Sequence, residues 1–261
     1  MKKGFWIILC MFFIPPVTFA GNMKLHYDRP AEYFEEALVI GNGTMGATLY
    51  GGVKKDKISF NDITLWTGEP ESENSSPDAF NTIPEIRALL DNEDYQGADK
   101  AQYKVQGHYS ENYQPLGTLT IEYLDDTAGI SDYHRWLDIG NATARMQYLK
   151  DGELFTSDYF ASAPDSVIVI CLKSENKEGI HALLSFDSPL PHSSQVADNE
   201  ISVEGYAAYH SFPVYYKAED KHRYDPERGI HFKTLVRVLS VDGRVKNRYS
   251  DSRIEIDGST E

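Results

Sequence analysis

Cysteine is nearly absent: two occur in 261 residues, Cys10 and Cys171. Cys10 lies in the apolar leader, so the chain beyond it cannot close an internal disulfide and must hold itself together by its core. About 240 residues suffice for that, and all-β sandwiches reach this length as one domain. Cys171, inside Val167-Ile168-Val169-Ile170-Cys171-Leu172, reads as an inert small apolar residue in a buried strand. Basic residues are also scarce, 25 Lys and Arg against 40 Asp and Glu, for a formal charge of -15. Such a surface repels phosphate backbones and gains nothing from anionic lipid, so nucleic-acid and membrane-surface functions are disfavoured. A neutral partner such as a sugar is unaffected.

Apolar runs are short as well. The longest, Phe5 to Phe19, follows Met1-Lys2-Lys3 and reaches Ala20 with Thr18 two positions before it, the pattern of a secretory signal peptide cleaved after Ala20. A membrane anchor is the alternative; it needs ~20 apolar residues, and Pro15-Pro16 interrupts the run. Cys10 sits too early for lipidation, with most of the apolar run after it. Cleavage removes Lys2 and Lys3 and no acid, moving the charge from -15 to -17. The expected location is secreted or periplasmic.

What is abundant is β-sandwich grammar: short β-branched and aromatic stretches separated by Gly, Asp, Asn and Pro turns at ~8 to 12 residue spacing. Candidate strands are 44–50, 57–63, 117–124, 142–149, 154–162, 166–173, 181–186, 201–206, 231–241 and 253–256. Lys150-Asp151-Gly152-Glu153 joins two of them as a hairpin turn. Two short helices interrupt the pattern, 82–90, with Thr82 placed to cap and Glu85 three residues later, and 95–105. The acidic, Ser- and Pro-rich segment Glu69 to Asp78 reads as an exposed loop. There is no internal repeat and no linker, and the end at Glu261, just after a strand-like Ile254-Glu255-Ile256, reads as a cut. The predicted class is all-β, an antiparallel β super-sandwich with two short inserted helices.

Gly41-Asn42-Gly43-Thr44-Met45-Gly46 fits the dinucleotide pattern G-x-G-x-x-G literally. That fingerprint works only where the last glycine opens a helix that holds the pyrophosphate. Here it runs into Ala47-Thr48-Leu49-Tyr50-Gly51-Gly52, so the reading is rejected. The glycines are expected to make positive-φ turns before a strand.

Four segments then appear in order: Ala37-Leu38-Val39-Ile40-Gly41-Asn42-Gly43 with Gly46-Ala47; Gly51-Gly52-Val53 followed by Phe60-Asn61-Asp62-Ile63-Thr64-Leu65-Trp66-Thr67-Gly68; Tyr113-Gln114-Pro115-Leu116-Gly117; and Tyr133-His134-Arg135-Trp136-Leu137-Asp138. As an ordered set, continued through Phe155 to Ser162 and Ser166 to Val169, they resemble the amino-terminal domain of family 95 glycoside hydrolases, the α-L-fucosidases, over residues 25 to 258. The resemblance implies a β super-sandwich on residues 21–261 that packs against a helical (α/α)6 barrel. In that family the barrel hydrolyses α-1,2-fucosyl linkages with inversion, so the implied partners are the barrel and, through the parent enzyme, fucosylated glycans. Related enzymes also act on α-L-galactosides.

No catalytic residue is assigned to this chain. With so many Asp and Glu, a carboxylate pair carries no information. Asn61 and Asp62, flanked by Phe60 and Trp66, suit a sugar's apolar patch and its hydroxyls, and Gln114 is a further candidate contact. The bland reading makes Trp66 core, Asn61-Asp62 a turn tie and Gln114 a loop-fixing amide. His26, His108, His134, His181, His210, His222 and His231 show no ligand spacing, so no metal and no cofactor is expected. Ser157-Asp158 and the scattered Ser and His residues lack the sharp turn that exposes a serine nucleophile, and the Asn42, Asn74 and Asn141 glycosylation triplets decide nothing. Two other roles stay open, a free-standing carbohydrate-binding module and a truncated product without function. A domain made to cover a barrel is expected to leave an apolar patch when seen alone.

Overall fold

The computed structural model describes residues 23–70, 78–107 and 109–261. The leader, most of the acidic loop, His108 and the Asn74 triplet therefore lie outside the described residues. In chain order the elements are β1 (Lys24–Tyr27), β2 (Leu38–Gly41), β3 (Met45–Leu49), β4 (Lys55–Asp62), α1 (Ala79–Asp91), α2 (Tyr95–Gln102), β5 (Gly117–Tyr123), β6 (Ile130–Asp138), β7 (Thr143–Lys150) and β8 (Glu153–Ser162). They continue with β9 (Val167–Ser174), β10 (Ile180–Asp187), β11 (His192–Ala197), β12 (Glu200–Tyr206), the two-residue β13 (His210–Ser211) and β14 (His222–Arg223), β15 (His231–Arg237), β16 (Arg244–Arg248) and β17 (Arg253–Ser259).

A seven-stranded sheet, ordered β16-β17-β10-β5-β4-β3-β2, faces a five-stranded sheet, β1-β6-β7-β8-β9. A smaller sheet, β11-β12-β15, adds Val196, Ile201 and Val203 to the same core. All pairings are antiparallel. The period-two pattern explains which face is buried: β5 alternates strictly, with Leu119, Ile121 and Tyr123 inside and Thr118, Thr120 and Glu122 outside. Ile58, Ile121 and Ile254 are sealed, each stabilising the fold by about 1.5–3 kcal/mol relative to exposure.

Polar bonds tie the layers together. Tyr159 on β8 donates its hydroxyl to Asp56 Oδ2 on β4 (2.9 Å), and Gly52 N–H donates to Oδ1 (2.9 Å). Tyr133 on β6 donates to Gly51 O (2.7 Å), and Gly51 takes φ +71 with space for no Cβ, which would lie 2.6 Å from that hydroxyl. Buried Arg135 donates to Arg29 O (2.7 Å) and Glu36 O (2.8 Å) and packs over Tyr27, holding the segment that leads into β2.

Several expectations need correction. Gly41 and Gly46 face each other across the β2–β3 hairpin, and of the three glycines only Gly43 has positive φ (+97). The turn is instead fixed by Asn42, whose Oδ1 accepts from Thr44 N and Met45 N. Thr82 does not cap α1; it lies one turn inside, its hydroxyl bonded to Asp78 O. The helix starts earlier, at Ala79, and runs through Pro84. Glu85 pairs with Lys104, in the turn just after α2 (3.3 Å). Cys171 is half-buried, because β9 is an edge strand whose Ile168, Ile170 and Leu172 pack on the core while the alternate positions face out. Burial pushes its thiol up, and its Sγ–H donates to Glu261 (3.6 Å). Strands β1, β2, β6, β11, β13, β14 and β16 were not among the candidates, and β15 stops at Arg237.

Burial raises the Asp56 carboxyl from 3.8 to about 6, although the Gly52 and Tyr159 bonds pull the other way. The folded chain then holds a proton that the unfolded chain has released, so stability is fully present below about pH 4 and lost as pH rises towards 6. A shift of about two pH units corresponds to about 3 kcal/mol. Urea unfolding at pH 4, 5, 6 and 7 should show the wild type losing about that much relative to Asp56→Asn across the window; parallel curves would refute the assignment.

Candidate functional site

Three loops meet at one place: residues 63–70 after β4, residues 109–116 before β5, and residues 207–230 between β12 and β15. Backbone bonds pair the first two. Thr67 N–H donates to Asn112 O (2.8 Å) and Gln114 N–H to Leu65 O (2.9 Å), on either side of a bridge between Trp66 and Tyr113. The third loop joins through Gly68 N–H to Ala208 O (3.1 Å). Beneath them Leu65, Leu190 and Ala207 form a small core of their own.

Glu111 holds the three loops. Its Oε2 accepts from the Thr67 hydroxyl (2.5 Å) and from Ser211 N–H (2.9 Å), and its Oε1 accepts from His210 Nδ1–H (2.8 Å). Asn112 reinforces the clamp, donating its backbone N–H to Thr67 Oγ1 (2.9 Å) and its side-chain amide to Ser211 O (3.1 Å). Charge-assisted bonds of this kind are roughly twice as strong as neutral ones.

The sequence-predicted residues lie together here. Asp62 Oδ1 accepts from Thr64 N–H (2.8 Å) and Thr64 Oγ1–H (2.5 Å), an Asx turn that starts the first loop. Asn61 Nδ2 donates to Gln114 O (3.2 Å), and the Gln114 side chain is buried between the loops. Trp66 is not core: Leu65 and Thr67 point inward, so the alternating position between them points out, leaving Trp66 43% exposed. Its indole N–H donates to Ile63 O (3.0 Å), and its ring lies 5.6 Å from that of Tyr113, also 43% exposed. A second aromatic group stands beside His210, with Phe212 stacked on Tyr216 at 4.7 Å and Tyr109 edge-on to Tyr216 at 5.6 Å. Glu111, His210 and Ser211 were missed by sequence reasoning. Nothing in the spacing of 67, 111 and 211 marks them, since only the fold brings them together.

The arrangement contains a serine, a histidine and a carboxylate, yet it is not a nucleophilic triad. Ser211 is fully buried, its hydroxyl bonds His222 Nδ1 (2.8 Å), and Glu111 orients His210 instead of His222. Among the described carboxylates with a clear shift, Asp56 is the one raised, and it is sealed in the core. At the sandwich's side a cavity of about 210 Å³ is lined by Tyr148, Asp126, Lys150 and Asp151. The Lys150 ammonium beside Asp126 holds that carboxyl below the usual range, so the rim is ionised. No group of three or more His, Cys, Asp or Glu among the described residues is placed to hold a metal ion. No helix among them is long and apolar enough to cross a membrane.

A two-layer antiparallel sandwich whose loops carry exposed aromatic rings is the class of domain that the fold defines. The family follows from comparison: residues 25–261 match the family described as glycosyl hydrolase family 65, N-terminal domain, and the chain belongs to it. It is 30% identical to alpha-L-fucosidase 2 of Arabidopsis thaliana over 228 residues, covering 85% of this chain and 27% of that protein. It is 27% identical over 179 residues to probable alpha-fucosidase A of Aspergillus niger, covering 64% and 22%, and 28% identical over 145 residues to the Aspergillus oryzae protein of the same name, covering 53% and 20%. The chain thus spans about a quarter of the length of these relatives. The glycoside hydrolase amino-terminal domain read from the ordered motifs is what it is.

If Glu111 organises the site, Glu111→Gln, which offers one acceptor oxygen and an amide facing donors, should lower stability by about 1–3 kcal/mol. Hydrogen exchange should accelerate at Gly68 and Ser211 while the β5 and β10 amides stay protected; uniform acceleration would contradict a local clamp.

Proposed function

We propose that this chain is the non-catalytic sandwich domain of an exported glycoside hydrolase resembling the family 95 α-L-fucosidases, in which a helical (α/α)6 barrel hydrolyses α-1,2-fucosyl linkages with inversion. The observation that carries the reading is the state of the carboxylates. An inverting glycosidase needs an acid of raised pKa and a base carboxylate about 6.5–9.5 Å apart across the sugar. Among the described residues the carboxyl that is raised, Asp56, is bonded to Tyr159 inside the core and cannot reach a glycosidic oxygen. The fucosidase relatives, of which the matched segments cover 27% and 22%, suggest the substrate class.

The barrel is the partner, and the α1–α2 hairpin supports a place for it. The helices pack on each other through Thr82, Ala98 and Ala101, and neither makes a substantial contact with a strand. A second stripe on α1, Phe80, Ile83 and Leu90 at helical spacing, faces solvent, with Phe80 82% exposed. A two-helix unit with such a stripe gains stability only when another surface covers it.

The 21–261 polypeptide should not hydrolyse a neutral α-1,2-fucosylated oligosaccharide. Turnover that a carboxylate substitution within this range abolishes would overturn the reading. Phe80→Ser with Ile83→Ser should leave the sandwich folded by near-ultraviolet circular dichroism and weaken its association with a barrel domain supplied in trans; unaltered association would place the partner elsewhere.

A further inference from the structure

We infer that the loop platform around Trp66 and Tyr113 is a binding subsite for a neutral oligosaccharide. The inference rests on the glycoside hydrolase reading only for the class of ligand; the site itself is argued from geometry. Two large rings stand side by side, 5.6 Å apart and each 43% exposed, on backbone segments that are hydrogen-bonded to each other. The indole N–H is spent on Ile63 O, so Trp66 offers a ring face and no donor. A ring face without a donor suits the C–H face of a pyranose, and the Tyr113 hydroxyl beside it can bond a sugar hydroxyl.

The site is also pre-organised. Asp62 fixes the turn before Trp66, Asn61 and Gln114 lock the adjoining backbone, and Glu111 ties both loops to the third. Little conformational freedom is left to lose when a ligand binds, which raises affinity for a given contact area. Asn61, Asp62 and Gln114 are thus positioning residues, and Trp66 and Tyr113 are the contacts. An anionic partner is opposed by the net charge of -15. The polar amides and the Tyr113 hydroxyl separate this surface from the wholly apolar stripe on α1 that suits protein contact.

The probe is a neutral α-1,2-fucosylated trisaccharide, with its unfucosylated disaccharide core as comparator, titrated against the 21–261 polypeptide by calorimetry. Saturable binding is expected. Trp66→Ala and Tyr113→Ala should each weaken it at least about tenfold, or 1.4 kcal/mol, Trp66→Phe less, and Tyr249→Ala, an exposed ring elsewhere, not at all. Should Trp66→Ala not fold, shielding of Trp66 from oxidative modification by the trisaccharide, mapped by mass spectrometry, reads the same contact in the unaltered chain. Absence of saturable binding, or binding indifferent to Trp66 and Tyr113, overturns the subsite and leaves the non-catalytic reading standing. Hydrolysis of the trisaccharide would overturn the latter alone.

Discussion

The bond between Tyr159 and Asp56 sits where the two sheets meet and sets what the rest of the fold can do. A chain with no internal disulfide has to fix two sheets by packing, and packing of branched aliphatics alone leaves their relative position weakly specified. A carboxyl sealed in that interior is costly unless every lone pair finds a donor in the right place. Asp56 offsets part of that cost with Tyr159 from the opposite sheet and Gly52 from the turn before its own strand, bonds that fix the placement of β8 over β4. Gly51, with positive φ, and the Tyr133 hydroxyl extend the same tie to β6.

Glu111 is a carboxylate in the opposite circumstance. It lies partly open at a loop junction, where its two oxygens accept from Thr67, Ser211 and His210. One acid thereby registers the layers, and the other registers the loops that the layers present. The β4 and β5 strands connect them: β4 carries Asp56 at one end and delivers Asn61 and Asp62 to the site at the other, while Gly117 begins β5 just after Gln114. Core geometry and site geometry are therefore coupled through two adjacent paired strands.

Much of the sandwich was legible because its strands alternate cleanly, as in β5, β7 and β8, and because Asp151-Gly152 supplies the positive-φ pair that a tight hairpin needs. What escaped was whatever depends on partners distant in sequence. β6 carries His134, Arg135 and Trp136, a polar-looking run, because Arg135 is buried under carbonyls 106 and 99 residues away. Thr82 looked like a cap because a local pattern cannot show that its hydroxyl bonds backward along a longer helix. At the site, Asn61, Asp62 and Trp66 were readable as a cluster because they are near neighbours in the chain, with Gln114 a separate candidate. The Glu111 clamp was not, since it spans 44 residues to Thr67 and 100 to Ser211.

The excess of negative charge takes little part in holding this architecture. Its ion pairs, such as Lys246 with Glu255 and Asp257 or Arg237 with Glu200, are on the outer faces, where each contributes about 0–1 kcal/mol and is screened by salt. Excess acidity instead filters partners, and that filter matters most where the surface is least charged. Around Trp66 and Tyr113 recognition falls to ring faces and fixed amides, whose strength does not depend on ionic screening. An acidic exterior surrounding a neutral aromatic platform therefore excludes polyanions by long-range repulsion while leaving short-range contact with an uncharged sugar chain undiminished.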